Sequence, residues 1–259
     1  MPYAQNRDVN IYYEVTGNGS PLVLHHGLTG LLENWKRFKY VDALKDKYRL
    51  ILMDARGHGK SGKPHDPKQY SMEHMTGDVV AVLDDLGIDR ACFWGYSMGG
   101  RIGLALGKYH PDRFRALIIG GNGLSEKDSK EQVEELQDEI RYYRQGKDAI
   151  IASIGEELGE HMEWWRNTWL SKDLEALIAY CSFYENIGMA DYLPKLRIPC
   201  LLYAGEEDTY NHSIAKACSE IMRDAEFLSL PGLNHFGAIV NSSVVIPYVL
   251  KFLENLTNV

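Results

Sequence analysis

The sequence predicts an α/β protein: a mostly parallel sheet with helices on both faces, interrupted late in the chain by a helical insertion. Three observations lead there. Short, continuously apolar runs alternate with amphipathic helical runs through the first half of the chain, the pattern of right-handed strand–helix–strand crossovers. One of the apolar runs passes straight into Gly95-Tyr96-Ser97-Met98-Gly99, and a helical run follows. Between residues 125 and 196 the strand signal disappears, and it returns at Pro199-Cys200-Leu201-Leu202.

Taken in order, residues 9–15 alternate in strand fashion, with Ile11, Tyr13 and Val15 on one side, and end at the turn Gly17-Asn18-Gly19-Ser20-Pro21. Residues 22–26 form a buried parallel strand that opens into Gly27-Leu28-Thr29-Gly30. One helix carrying Trp35, Phe38 and Leu44 is expected next, then a strand over 49–53. The glycine-rich loop Asp54-Ala55-Arg56-Gly57-His58-Gly59-Lys60-Ser61-Gly62 follows. Met75, Val79, Val82, Leu83 and Leu86 recur at helical spacing over 71–86, and Gly87 ends that helix. The helix after Ser97 runs to His110 and stops at Pro111, and residues 116–120 form another strand. Four helices are expected in the insertion, over 127–145, 149–158, 161–170 and 173–186. Strands over 199–204 and 225–230 complete the sheet, and a helix over about 244–256 contains Pro247. The domain reading is therefore a core of residues 1–124 and 197–259 with an insertion of residues 125–196.

Composition excludes some functions. The chain has 259 residues, 45% of them hydrophobic and 25% charged, enough for a substantial core. A net charge of −8 argues against nucleic acid, which selects basic surfaces, and against an anionic membrane. Cys92, Cys181, Cys200 and Cys218 fit no zinc spacing and are expected as buried thiols in a reducing compartment. No apolar segment has the length of a signal peptide or a membrane span, so a cytoplasmic protein, monomeric or homodimeric, is expected.

The chemistry centres on Ser97. At a tight strand-to-helix turn the hydroxyl is presented at the strand's end, and glycine is needed where backbone passes close. A serine hydroxyl needs a base, and the base needs an orienting group. His235, in Pro231-Gly232-Leu233-Asn234-His235-Phe236-Gly237, follows a strand and precedes the last helix, on the sheet edge that Ser97 occupies. Asp208, in Gly205-Glu206-Glu207-Asp208, is the candidate acid, with Glu207 as its rival. Ser97, Asp208 and His235 follow the chain order Ser…Asp…His. The backbone N–H groups of Leu28 and Met98 are the candidate oxyanion donors. His25 and His26 shape the oxyanion loop, while His65, His74, His110, His161 and His212 read as surface or structural. No His, Cys or carboxylate spacing suggests a metal, and Gly57-x-Gly59 lacks the rest of a dinucleotide fingerprint.

In order, His25-His26-Gly27, Asp54-x-Arg56-Gly57-x-Gly59-x-Ser61, Gly95-Tyr96-Ser97-Met98-Gly99-Gly100, Gly205-Glu206-Glu207-Asp208 and Asn234-His235 resemble the landmarks of the α/β-hydrolase superfamily. They look most like small carboxylesterases and the 3-oxoadipate enol-lactonase-like branch. The resemblance spans nearly the whole chain except the insertion. It implies an eight-stranded sheet, a structural brace at His58 and an insertion that caps the site. The insertion carries Tyr142, Tyr143, Trp164, Trp165, Trp169, Tyr180, Phe183 and Tyr184. His26, Trp165, Trp169, Tyr180 and Phe236 are the pocket candidates. The implied activity is hydrolysis of short- to medium-chain carboxylic esters through an acyl-enzyme, with no cofactor and a small-molecule ester as the only partner. Lactonase, C–C bond hydrolase and perhydrolase share the triad. Dehalogenase and most epoxide hydrolase chemistry is disfavoured, because those relatives use a carboxylate nucleophile. A small-molecule receptor on the same fold is the alternative outside enzymes, and turnover separates the two.

Overall fold

The computed structural model describes residues 2–123, 129–153, 162–183 and 191–256. Eight strands form one sheet: β1 (Tyr3–Asn6), β2 (Val9–Thr16), β3 (Ser20–His25), β4 (Tyr48–Met53), β5 (Ala91–Tyr96), β6 (Phe114–Gly120), β7 (Cys200–Gly205) and β8 (Ala225–Leu230). Their order is β1-β2-β4-β3-β5-β6-β7-β8, antiparallel at the β1–β2 and β2–β4 pairs and parallel elsewhere. β1 was not expected from the sequence. It is four residues long at the sheet edge, too short to show a period.

The helices are α1 (Glu33–Arg37), α2 (Tyr40–Leu44), α3 (Met72–Asp85), α4 (Met98–Tyr109), α5 (Ser129–Tyr143), α6 (Lys147–Ser153), α7 (Met162–Ser171), α8 (Leu174–Ser182), α9 (Thr209–Ile221), α10 (His235–Val240) and α11 (Ser242–Asn255). The single helix expected to carry Trp35, Phe38 and Leu44 is two, because Lys39 takes a left-handed φ of 68° between them. All three side chains are nevertheless buried. Ser71 caps α3 by accepting the His74 N–H, and Gly87 ends it at φ 63°. α5 to α8 fall inside the expected insertion between β6 and β7. Tyr184, Asn186 and His161 lie outside the described residues. Among those described, no helix is long and apolar enough to cross a membrane.

The central strands are buried on both faces, which is why they read as unbroken apolar runs. Their side chains alternate between two cores. Val23, Ile51, Phe93, Leu117 and Leu202 pack on the side of α3, α4, α9 and the insertion. Leu22, Leu24, Leu52, Trp94, Ile118 and Tyr203 pack on the side of α1, α2 and α11. On β2, Val9, Ile11 and Tyr13 face inward as the alternation predicts, but Val15 is exposed, since β1 pairs only with Val9 to Tyr12 and leaves the end of β2 at the sheet edge. All four cysteines are buried, and none of them forms a disulfide.

The loop after β4 is braced by buried charge. Arg56 donates Nε and Nη2 to the Asp78 carboxylate at 2.6 and 2.5 Å, and Asn6 adds a 2.8 Å bond to the same group. Both ionic side chains are almost wholly buried. Breaking one partner leaves an uncompensated charge inside the protein. Asp78→Ala should therefore lower stability by about 3–5 kcal/mol in urea unfolding; a loss of less than about 1 kcal/mol would contradict this account of the brace.

Candidate active site

β5 ends at Tyr96 and α4 begins at Met98, leaving Ser97 alone at the junction with φ 52° and ψ −112°. A side chain tolerates this strain only where its surroundings hold it. Here the Ser97 N–H donates to the Gly120 carbonyl at 2.7 Å, and the Arg101 N–H donates to the Ser97 carbonyl at 3.0 Å. The glycines are required sterically. A Cβ on Gly95 would lie 2.1 Å from the Gly99 carbonyl oxygen, and one on Gly99 would lie 2.4 Å from that of His25.

The loops after β7 and β8 bring a carboxylate and an imidazole together. Gly205 packs so tightly on Leu233 that a Cβ would lie 2.0 Å from the Leu233 carbonyl oxygen, which also accepts the Glu207 N–H at 3.0 Å. This contact sets Asp208 beside His235, with Nδ1 of the ring 2.5 Å from the carboxylate. Glu207, the rival, is exposed. Asn211 donates to the other carboxylate oxygen at 3.0 Å. Burial raises the Asp208 pKa, but the His235 bond and charge and the Asn211 bond outweigh it, and the carboxyl ends below its ordinary range. His235 was expected in a loop. It is instead the first residue of α10, whose N-terminus Asn234 caps through the Gly237 N–H at 2.7 Å. Tyr96 holds the ring from the other side: its hydroxyl donates to the His235 carbonyl, and the two rings lie 5.2 Å apart.

The loop after β3 is fixed by two neutral histidines. His26 donates Nδ1–H to the Gly27 carbonyl at 2.8 Å and accepts the Ala55 N–H on Nε2 at 3.0 Å. His58 does the same with the Arg56 carbonyl at 3.0 Å and the Thr29 N–H at 3.3 Å. Burial lowers both, His26 to about 4, so each ring stays neutral and can accept. His25, lowered by burial to about 3, bonds the His26 carbonyl.

Two cavities meet at Ser97. The larger, about 690 Å³, is lined from the sheet edge by Leu28, Thr29, Ser97, Met98, Arg101, Asn122, Tyr210, Asn211 and His235. The insertion contributes Glu135, Leu136, Asp138, Glu139, Tyr142, Tyr143, Trp165, Trp169 and Tyr180. The smaller, about 170 Å³, shares Leu28, Thr29, Ser97, Trp165 and His235 and adds His26, Tyr96, Phe236 and Ile239 among others. Leu28 and Met98 thus border the same space as the Ser97 side chain. Met98 opens α4, so its N–H is one of the four that a helix start leaves without an intrahelical acceptor.

Residues 20–149 match the alpha/beta hydrolase fold family. 3-Oxoadipate enol-lactonase 2 of Acinetobacter baylyi is 31% identical over 218 residues, covering 78% of this chain and 77% of that enzyme. The chain belongs to the α/β-hydrolase family. The enol-lactonase structure from Burkholderia xenovorans superimposes with a TM-score of 0.80 at 25% identity, over 98% of this chain and 100% of the other. Several other matches are shorter and span between a third and a half of the relative. Epoxide hydrolase 2 of Siraitia grosvenorii, for example, is 32% identical over 110 residues that make up 34% of that enzyme.

Of the residues singled out in the sequence of this chain, Ser97, Asp208, His235, Leu28 and Met98 gather at one sheet edge. Trp169 and Tyr180 border the larger cavity, His26 and Phe236 the smaller, and Trp165 both. The His26 ring is committed to backbone. Tyr96, Asn211, Thr29 and Arg101 were missed. Tyr96 had a signal in its place one residue before the serine; Asn211 had only its place three residues after the acid.

The 2.5 Å contact predicts a strongly downfield imidazole proton on His235 Nδ1. Asp208→Asn should abolish that resonance in proton NMR and Glu207→Gln should leave it. The opposite pattern would give the partnership to Glu207.

Proposed function

We propose that this chain is a serine hydrolase that cleaves carboxylic esters through an acyl-enzyme. The observation that carries the reading is the strained, glycine-flanked Ser97 in the same cavity as an imidazole already oriented by a buried carboxylate. Ser97 Oγ attacks the ester carbonyl as His235 Nε2 takes its proton. Asp208 keeps the proton on Nδ1, which leaves Nε2 free to act as base, and stabilises the imidazolium. The N–H groups of Leu28 and Met98 receive the oxyanion. His235 then protonates the leaving alcohol. Water, deprotonated by the same ring, releases the acid and restores Ser97.

Two chambers that share Ser97 in their walls suit the two halves of an ester. The smaller, at about 170 Å³, has room for roughly half a dozen groups of water size, at about 30 Å³ each, and restricts one half to a short chain. The larger, at about 690 Å³, lies in the range of ordinary ligand sites. In this reading α5 to α8 of the insertion form a cap that excludes water and strengthens the oxyanion contacts by lowering the local dielectric. Lactones are a second substrate class, supported by the similarity to the Acinetobacter baylyi enol-lactonase over most of both chains. Their ring opening uses the same acyl-enzyme.

The test is a panel of p-nitrophenyl esters of graded acyl length, run beside simple lactones. Ser97→Ala should keep the melting temperature within a few degrees and lose at least about 1,000-fold in kcat. Turnover near the wild-type value in that variant would overturn the reading. Trp165 borders both chambers, so Trp165→Ala should join them and move the kcat/KM optimum toward longer acyl groups. An unchanged length profile would remove Trp165 from the pocket wall.

A further inference from the structure

Lys172 is a lysine buried to 7% exposure, and no step of the proposed reaction uses it. It follows the last residue of α7, and its Nζ donates to the carbonyl of Thr29, which lies beside Leu28 in the loop after β3. Thr29 has φ 62°, a left-handed conformation rare for a β-branched residue. Both of its backbone polar groups are held by side chains: His58 Nε2 accepts its N–H at 3.3 Å, and Lys172 donates to its carbonyl. The His58 contact comes from the core and the Lys172 contact from the insertion. The ammonium also lies 5.2 Å from the centre of the Trp169 ring, which lines the larger cavity.

We propose that Lys172 is a positioning residue: reaching across from the insertion, it clamps Thr29 in its left-handed turn, aims the Leu28 N–H at the oxyanion, and so makes the oxyanion hole complete only when the insertion is seated. This rests on the ester-hydrolase reading for its effect on rate, though not for the clamp itself. The Thr29 carbonyl shares its peptide plane with the Gly30 N–H, which donates to the Gly27 carbonyl at 2.9 Å, and the Gly27 carbonyl shares its plane with the Leu28 N–H; rotation of the first plane on losing its clamp therefore turns the second. An oxyanion donor acts through fixed direction, because its contribution comes from needing no reorganisation as charge develops.

The clamp carries a pH dependence. The groups that act on the ammonium are the Asp54 carboxylate from the loop after β4 and the rings of His26 and His58. Both rings lie below the ordinary histidine value because they are buried, and they are neutral near pH 7. The adjacent Asp173 is taken up by His65, 3.1 Å away, and by the Ala176 N–H. Burial pushes Lys172 down to about 7, with Asp54 opposing. Below that pH the donor is a charged ammonium. Above it, the donor is a neutral amine with a weaker hold on the carbonyl. The clamp therefore loosens on the alkaline side.

The experiment measures kcat and KM on a short p-nitrophenyl ester from well below to well above neutral pH, for wild type, Lys172→Arg and Lys172→Met. Wild-type kcat should fall on the alkaline side with a midpoint near 7. Lys172→Arg should move that fall far upward, because a guanidinium stays charged. Lys172→Met should lower kcat about 10- to 100-fold with KM within about twofold, a loss smaller than deletion of a donor outright. The clamp is overturned if Lys172→Met keeps the wild-type kcat, or if Lys172→Arg keeps the wild-type alkaline fall. A lower melting temperature with an unmoved pH profile would mean that Lys172 only stabilises the fold, and would also overturn it. If Lys172→Met does not fold, the arginine profile decides. NMR separates this outcome from failure of the hydrolase reading. The Leu28 and Thr29 amide resonances should titrate near neutrality in wild type and not in Lys172→Arg, whatever the enzyme turns over.

Discussion

Ser97 takes φ 52° between β5 and α4, a conformation that costs a side-chain-bearing residue of order 1–3 kcal/mol. The sheet supplies the restraint that keeps it there. β5 is paired on both sides by parallel neighbours, β3 and β6, and is buried along its whole length, so its end cannot shift to relieve the turn. α4 starts hard against the end of β3, where a Cβ on Gly99 would lie 2.4 and 2.8 Å from the carbonyl oxygens of His25 and His26. One tight junction therefore fixes the serine, the helix start behind it and the neighbouring loop relative to one another.

The remaining groups are brought to that point by contacts of the same kind. Gly205 against Leu233 joins the loops of Asp208 and His235, and Gly121 passes so close to Tyr96 that a Cβ would lie 2.8 Å from its hydroxyl. The carboxylate and ring thus meet across two adjacent strands, β7 and β8, whose parallel register sends both loops to the same edge. Opposite them, the loop after β3 is tied down by neutral His26 and His58. Their low pKa values come from the burial that makes them useful as backbone acceptors. Strain at Ser97 and at Thr29 is stored in two segments that border the same cavity.

Much of this was legible in the sequence because it is local. A run of apolar residues that ends in Gly-x-Ser-x-Gly encodes strand, turn and helix together, and the parallel strands announce themselves by being apolar on both faces. Asp208 and His235 were legible through their place after strands. What was not legible depends on tertiary surroundings. α10 is six residues long and hides behind a Pro-Gly turn. The break between α1 and α2 comes from the backbone of one lysine, a residue type that gives no signal for it. Asn211 and Tyr96 acquire their roles only when the Asp208 and His235 loops come together. Nothing in the sequence marks Lys172, and only the packing of the insertion onto the Thr29 loop buries it.

The covalent step offers the most direct test. A rapid-quench experiment with a p-nitrophenyl ester, followed by proteolysis and mass spectrometry of the trapped protein, reads where the acyl group resides during turnover. A burst of p-nitrophenol equal to the enzyme concentration, with the acyl mass on the peptide containing Ser97 and lost in His235→Ala, is the expected result. An acyl mass on any other residue, or turnover at full rate with Ser97 unmodified throughout, would contradict it.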